Sequence, residues 1–335
     1  MRKGQNPSKD SLPAYQPERL GVAIISYIPS MAGYFEHSLE VLKYEIASVH
    51  HSMKTGFDLY IFDNGSCAEA QAELFHLHSE GWIDFLFSSR HNLGKVGAIN
   101  WILGSVPNEL ICYADSDVLF RPGWYEHSLA ILEAYPKSGL ISAQPCLDDV
   151  LHGKGQAQNA FDHDPAYRVE IHPADAGHVE EYATGFGYTA EQRAQLLKNQ
   201  YKFVTQLSTG VQVVVGATHV QFLIPRKVAR QVGTLPATMS LSRQEDRNFN
   251  EAVDQLGFYH LSTPAPYYYH MGNVPDQNVR AEIARMNLEG MFQTPLNKEK
   301  DSAGWFVRLL RKLSRLPLLG AVVYRAYRLL FKIYS

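Results

Sequence analysis

Short, nearly continuous apolar runs alternate along the chain with stretches whose apolar residues recur at helical spacing. The runs cover residues 22–27, 59–62, 83–87, 110–114 and 139–143; the amphipathic stretches cover 35–49, 69–79, 96–103 and 124–135. A run that is apolar at successive positions is a strand buried on both faces, so the pattern predicts an α/β fold with a mainly parallel sheet between helices. Right-handed crossovers then place ligands beyond the carboxyl ends of the strands. The residues at those ends are polar in four consecutive cases. Ser26 and Tyr27 close the first run, Asp63-Asn64-Gly65-Ser66 the second, Arg90 to Lys95 the third and Asp115-Ser116-Asp117 the fourth.

Beyond residue 146 the pattern loosens. The segment 146–201 holds four histidines, several glycines and prolines and one helix near 190–199, and reads as a long connection over one face of the sheet. A further apolar run spans 211–224, a helix 245–256 and a strand 258–261, which leads into Tyr267-Tyr268-Tyr269-His270.

Composition narrows the picture. The three cysteines form no CxxC pair and leave an odd count, which reads as buried thiols in a reducing compartment. The first 19 residues lack the apolar stretch of a signal peptide, and no run approaches the ~18 apolar residues of a spanning helix, so a cytoplasmic protein is expected. The net charge of −3 conceals an asymmetry, because residues 304–335 carry seven basic side chains and no acidic one, leaving about −10 on the remainder. That balance argues against nucleic acid as a partner. Apolar residues interleave with the bases at helical spacing, so the tail reads as amphipathic helices lying on an anionic membrane surface, at the inner face of the plasma membrane. Two helices packed on the main domain are the competing reading.

Each polar strand end admits a chemical and a plain reading. In extended chain, Asp115 and Asp117 point to one side about 7 Å apart and can grip a hard cation, or they can simply bond nearby backbone. Asp63 with Asn64 can accept the imide N–H of a uracil or thymine, although Asn-Gly is also a strong turn signal. The stretch from Asn92 through Gly94 and Lys95 enters a helix whose free N–H groups, with Lys95 and Arg90, suit a diphosphate; the glycines also ease packing on the sheet. Glu245 and Asp246 stand at a helix start, where acids complement the helix dipole. His270 is a satisfied histidine or a metal ligand.

In order, IISY, IFDNGS, NLGKVGAIN, ADSDVLFRPGW, GATHVQFLIPRKVARQVG, QED and GFYHLSTPAPYYYH resemble the family 2 glycosyltransferases, the large inverting group with the GT-A nucleotide-diphospho-sugar transferase fold. The resemblance covers roughly residues 20–272, with its motifs in uninterrupted order. It implies a GT-A catalytic domain over 20–275, preceded by a polar segment 1–19 and followed by a helical extension 276–335. It further implies that Asp63 recognises the base with Ser26 and Tyr27 lining its pocket, and that Asp115 contacts ribose or metal. Asp117 would bind the metal (Mn²⁺ or Mg²⁺), with His270 as the remote ligand, and Asp246, with Glu245 beside it, would be the acceptor-side base. Residues 216–222 would shape the donor-sugar pocket. The implied donor is a nucleotide-sugar, a UDP-sugar in the first instance, and the implied acceptor a glycan or lipid-linked hydroxyl. Two departures stand out: SYIPS replaces the family's T-x-N-type strand end, and 146–209 follows no family pattern.

Rival classes fit less well. A sugar-1-phosphate nucleotidyltransferase would open with a glycine-rich basic loop, whereas SYIPSMAGY has one glycine and no base. The single G-x-G-x-x-A, at Gly185, follows no strand, and Thr189 with Gln192 reads as a capping box. No HxxxH or HxH spacing supports a zinc hydrolase. A non-catalytic sugar-binding relative would not need Asp117, Asp246 and His270 together.

Overall fold

The computed structural model describes residues 15–147, 155–235, 244–293 and 296, the side chains of 155, 156, 158 and 244–248 excepted. The basic tail 304–335 lies outside the described residues. The chain divides into a compact unit, Pro17–Pro295, and a second unit made of the two termini, of which only Tyr15, Gln16 and Leu296 are described.

Within the larger unit the strands are β1 (Leu20–Ser26), β2 (Asp58–Asp63), β3 (Phe85–Ser88), β4 (Leu110–Ala114), β5 (Val118–Phe120), β6 (Ser138–Ser142), β7 (Tyr167–Pro173), β8 (Gln200–Gln206), β9 (Gln212–Val215), β10 (Gln221–Pro225), β11 (Tyr259–Ser262) and β12 (Tyr268–His270). The helices are α1 (Ser38–Ser52), α2 (Ala68–Ser79), α3 (Gly94–Ser105), α4 (Trp124–Ala134), α5 (Gly155–Ala160), α6 (Ala176–Gly185), α7 (Ala190–Leu196), α8 (Arg226–Val232), α9 (Gln244–Gln255) and α10 (Gln277–Arg285).

Ten strands form one sheet in the order β3-β2-β1-β4-β10-β6-β11-β9-β8-β7, and β5 pairs with β12 in a second, two-stranded sheet. The first four strands are parallel, as their apolar runs predicted; β1, β2 and β4 are buried at every position. Seven of the ten strands run in one direction, and β10, β9 and β7 oppose them. Alternate side chains of β1 (Ala23, Ile25), β2 (Tyr60, Phe62) and β4 (Ile111, Tyr113) share one core with residues of α3, α8 and α9, as the period of two requires. A second core joins Val41 and Ala47 of α1 to Leu119 of β5, Tyr269 of β12 and Val279 and Ile283 of α10, so α10 packs within the unit that holds the sheet.

Two expectations need correction. The segment beyond residue 146 is not a connection lying over the sheet. It supplies β7 and β8, which with β9 extend the sheet edge through seven β7–β8 partner pairs. Its outer strand, YRVEIHP, has no buried position, so it lacks the apolar run that betrays an inner strand. Nor is 211–224 one strand. Gly216 takes φ +113°, which a residue with a side chain rarely adopts, and there the chain leaves β9 before re-entering the sheet as β10.

Candidate active site

The parallel strands β1, β2 and β4 end on one edge of the sheet, and the candidate residues gather there. Asp115 and Asp117 occupy the short link between β4 and β5. Because β5 leaves the main sheet to pair with β12, His270 falls in register with Val118, and the Met271 N–H donates to the Asp117 carbonyl at 2.8 Å. That register sets His270 Nε2 3.1 Å from Asp117 Oδ2. The other carboxylate oxygen of Asp117 and Nδ1 of His270 are buried with no hydrogen-bond partner. Burial opposes the charging of His270, but Asp117 beside it and Asp115 beyond it prevail, so its pKa lies above the ordinary value.

Asp115 is differently engaged. Lys95 Nζ donates to its Oδ2 at 2.8 Å, and the Tyr113 hydroxyl, two residues back on the same side of β4, donates to its Oδ1. Burial raises the pKa of this carboxyl, and the Lys95 ammonium offsets part of that rise. Of the expected ligands Asp115, Asp117 and His270, the last two are in contact. Both oxygens of Asp115 are held by protein donors, and no cluster of three metal-ligating side chains exists among the described residues. Behind the pair, Glu45 of α1 is fully buried. Burial first, then the Asp117 carboxylate, push its pKa well above the ordinary value, and the Val118 N–H offsets only part of this.

On the neighbouring strand ends, Asp63 is buried and accepts from Ser66 N–H at 2.9 Å, Gln71 Nε2 at 2.9 Å and Ser88 Oγ at 2.7 Å. Its Oδ1 takes only the Ser66 bond and keeps acceptor capacity. Asn64 and Asn92 pin the start of α3. Leu93 N–H donates to Asn64 Oδ1 and Gly94 N–H to Asn92 Oδ1, both at 2.8 Å, while Asn64 Nδ2 donates to Asn92 Oδ1 at 3.0 Å. The expectation of free amides is thus corrected for Leu93 and Gly94, whose N–H groups are committed within the protein. Gly94, at φ +73°, makes the turn that delivers Lys95 to Asp115. Ser26 Oγ is buried without a partner, Tyr27 is exposed with its ring 6.1 Å from that of Phe35, and Arg90 is exposed.

Glu245 and Asp246 lie in the first turn of α9, their side chains outside the described residues. The helix packs against β10. Phe249 packs 5.2 Å from Phe222 of β10, and Asn250, one turn after Asp246, lies 2.9 Å from His219 Nε2, so the turn carrying the acids stands beside residues 216–220, which link β9 to β10.

Residues that the sequence reading passed over complete the surroundings. Arg121, directly after β5, forms a two-pronged ion pair with Glu181 of α6 at 2.9 and 3.1 Å and another with Glu282 of α10 at 2.6 Å. At the far end of α6, Gly185 lies against the His270 backbone and the Phe186 ring lies 4.3 Å from the imidazole. Of the two glycines in the pattern rejected as a dinucleotide motif, Gly185 serves this close approach, whereas Gly187 takes φ +64° with open space beside it. Tyr113 had a legible signal, since residues i and i+2 of a strand share a face.

A mixed α/β sheet flanked by helices, with an acidic pair leaving a parallel strand at its carboxyl edge, defines a domain of GT-A type. Residues 34–229 match the profile of glycosyl transferase family 2, and the chain belongs to that family. Among solved structures it is similar to the mannosyltransferase PcManGT from Pyrobaculum calidifontis in complex with GDP-Man and Mn²⁺ (12% identity, TM-score 0.44, 76% of this chain and 56% of that one). It is also similar to S. aureus TarS 1-349 (13%, 0.43, 81% and 66%), including its complex with UDP-GlcNAc (13%, 0.43, 81% and 67%). The chain thus spans little more than half of the mannosyltransferase. No curated protein matches it.

Proposed function

We propose that this protein is a metal-dependent inverting glycosyltransferase that moves a hexosyl or N-acetylhexosaminyl group from a nucleotide-diphospho-sugar, a UDP-sugar in the first instance, to an acceptor hydroxyl. The glycan or lipid-linked acceptor belongs to the synthesis of a surface polysaccharide or glycolipid. The observation that carries this reading is the Asp117–His270 pair, a carboxylate and an imidazole 3.1 Å apart, each with a buried atom lacking a partner. A buried polar atom without a partner costs free energy unless something binds it; carboxylate oxygens suit Mn²⁺ or Mg²⁺, and a neutral imidazole is a common ligand of transition metals. Asp117 and His270 would hold the ion, joined by Asp115 once Lys95 turns from it. The ion supplies Lewis-acid stabilisation of the charge on the departing diphosphate.

The chain's own groups do the rest. Ser26, Tyr27 and Asp63 hold the base, and Lys95 sets a positive charge where the diphosphate lies. Asp246 accepts the proton of the acceptor hydroxyl as that oxygen bonds to the anomeric carbon and the bond to the diphosphate breaks. One displacement inverts the anomeric centre, and such a positioned base contributes roughly 10²–10⁴-fold. Glu245 orients the loop.

In the same reading the basic, amphipathic residues 304–335 keep the enzyme at the inner face of an anionic membrane, each base adding about 1 kcal/mol. No described helix is long and apolar enough to cross a membrane.

The test is a screen of UDP-, GDP- and dTDP-sugars for hydrolysis with Mn²⁺ and in excess EDTA, run on the wild type and Asp117→Asn. The reading expects turnover of one donor class that both EDTA and the substitution abolish, with circular dichroism unchanged. Full activity in the variant or in EDTA overturns the metal assignment, and no turnover of any donor overturns the transferase.

A further inference from the structure

A cavity of about 640 Å³ lies on the antiparallel extension of the sheet, away from Asp117 and from the donor-binding strand ends. Its floor is one face of β7 and β8. Glu170 is the cross-strand partner of Phe203 and His172 of Tyr201, so these four side chains stand on the same side. The His172 and Phe203 rings are 5.2 Å apart and those of Tyr201 and Phe203 are 5.8 Å apart. The segments that leave β6 and β11, at Pro145 and 264–266, form a wall.

The lining is built. His178 of α6 is buried beneath it, with Nδ1 bonded to the Tyr201 hydroxyl and Nε2 3.0 Å from Gln144, which fixes the tyrosine ring. Burial lowers the His178 pKa to about 4, so the imidazole is neutral at physiological pH. Asp175 caps α6 through one oxygen, bonded to the His178 N–H at 2.8 Å. The lining therefore offers aromatic faces beside the carboxylates of Asp175 and of Glu170, whose Oε2 lies 3.2 Å from Arg168 Nε, and the lining itself includes no lysine or arginine.

This combination selects its ligand. Aromatic rings pack against the C–H faces of a pyranose, and carboxylates accept from hydroxyl groups in charge-assisted hydrogen bonds. With no lysine or arginine in the lining and Arg168 already paired to Glu170, nothing there is placed to hold a phosphate or a uronate, and Asp175 repels one. The place fits an acceptor as well. The helix that begins in the cavity at Asp175 ends with Gly185 against His270, and from His178 to Gly185 is roughly 10 Å of helix.

Resting on the transferase reading above, we propose that this cavity is the acceptor subsite and binds a neutral, hydroxyl-rich oligosaccharide whose far end reaches the Asp117–His270 site. Phe203, with the exposed His172 ring 5.2 Å from it, carries the sugar faces above the buried Tyr201, and Glu170 and Asp175 take the hydroxyls.

The experiment measures binding of neutral cello-, malto- and chito-oligosaccharides, and of oligogalacturonate, to the full chain by titration calorimetry. Wild type, Glu170→Gln and Phe203→Leu are compared, with donor hydrolysis measured separately on all three. The proposal expects the wild type to bind a neutral series and not the acidic one. It expects each variant to lose about tenfold or more in that affinity, with donor hydrolysis and Tm unchanged. Leucine keeps apolar bulk in place of the ring, and a Tm fall in that variant leaves Glu170→Gln to decide. The proposal is overturned if no neutral series binds, if the acidic series is preferred, or if Glu170→Gln binds as the wild type does. Failure of the transferase reading is a different result, namely absent donor hydrolysis in the wild type, and leaves the oligosaccharide titration intact.

Discussion

Gly185→Ala isolates the contact that seats His270. A Cβ at this position would lie 2.2 Å from the His270 carbonyl oxygen, 2.8 Å from its Cβ and 3.0 Å from its carbonyl carbon. Ordinary contact between such atoms begins near 3.5 Å, so α6 and β12 must part by about 1 Å. The obstacles are mainly backbone, which cannot swing aside as a side-chain tip can. Gly185 is absent from the positive-φ residues, so alanine is excluded by space and not by conformation. Overpacking of this kind costs about 1–3 kcal/mol, which lowers Tm by several degrees. A displacement of about 1 Å at a catalytic group costs on the order of 10²-fold in rate. The assay is donor hydrolysis as a function of Mn²⁺ concentration, beside thermal unfolding. Gly104→Ala is the control, since its Cβ would meet nothing within 4 Å in α3, and it is expected to stabilise by about 0.4–1 kcal/mol with activity unchanged. The variant should need more Mn²⁺ and turn over more slowly even when saturated. Wild-type Tm and wild-type Mn²⁺ dependence in Gly185→Ala would refute the seating of His270 by α6.

Asp246→Asn should lower the turnover number by about 10²-fold or more while donor affinity, measured by calorimetry, stays the same, and Glu245→Gln should be milder; collapse of donor binding would move Asp246 into the nucleotide site. Glu45 has a folded pKa raised by burial, so the native state holds its proton more tightly than the unfolded chain does. Stability is then lost as pH rises from the ordinary carboxyl range toward that raised value. Glu45→Gln keeps the shape without the acid, so its Tm advantage over the wild type should grow with pH, and a constant difference would contradict the assignment. Full-length protein should pellet with anionic vesicles at low salt and a chain ending at Asp301 should not; equal behaviour of the two would return the tail to the body of the fold.

The inner strands were legible because both of their faces are buried, which forces an unbroken apolar run on 22–27, 59–62 and 110–114. The outer strand YRVEIHP was not, because a strand without a buried face places no such demand on its residues. The helix starting near residue 245 was equally plain from its spacing, and the Thr189 capping box is present as read. The site divides in the same way. Asp63, Asp115 and the start of α3 sit at the ends of elements whose direction local pattern reveals, so their gathering at one edge followed from the parallel topology.

Which groups would touch was a separate question. Lys95 could be read as a phosphate ligand, yet it closes on Asp115 from a helix 20 positions away. Asp117 meets His270 only because β12 pairs with β5 in one register, and a shift of one residue would turn the imidazole to the other face. Gly185 meets His270 only through the packing of α6 on that strand. The sequence by itself determined the inner parallel strands and the chemistry at their ends, since these depend on residues within one element and on which faces meet water. The tertiary structure alone decided the partners of Asp115, Asp117 and His270, because hydrogen-bond distances between elements depend on register and packing set by the whole chain.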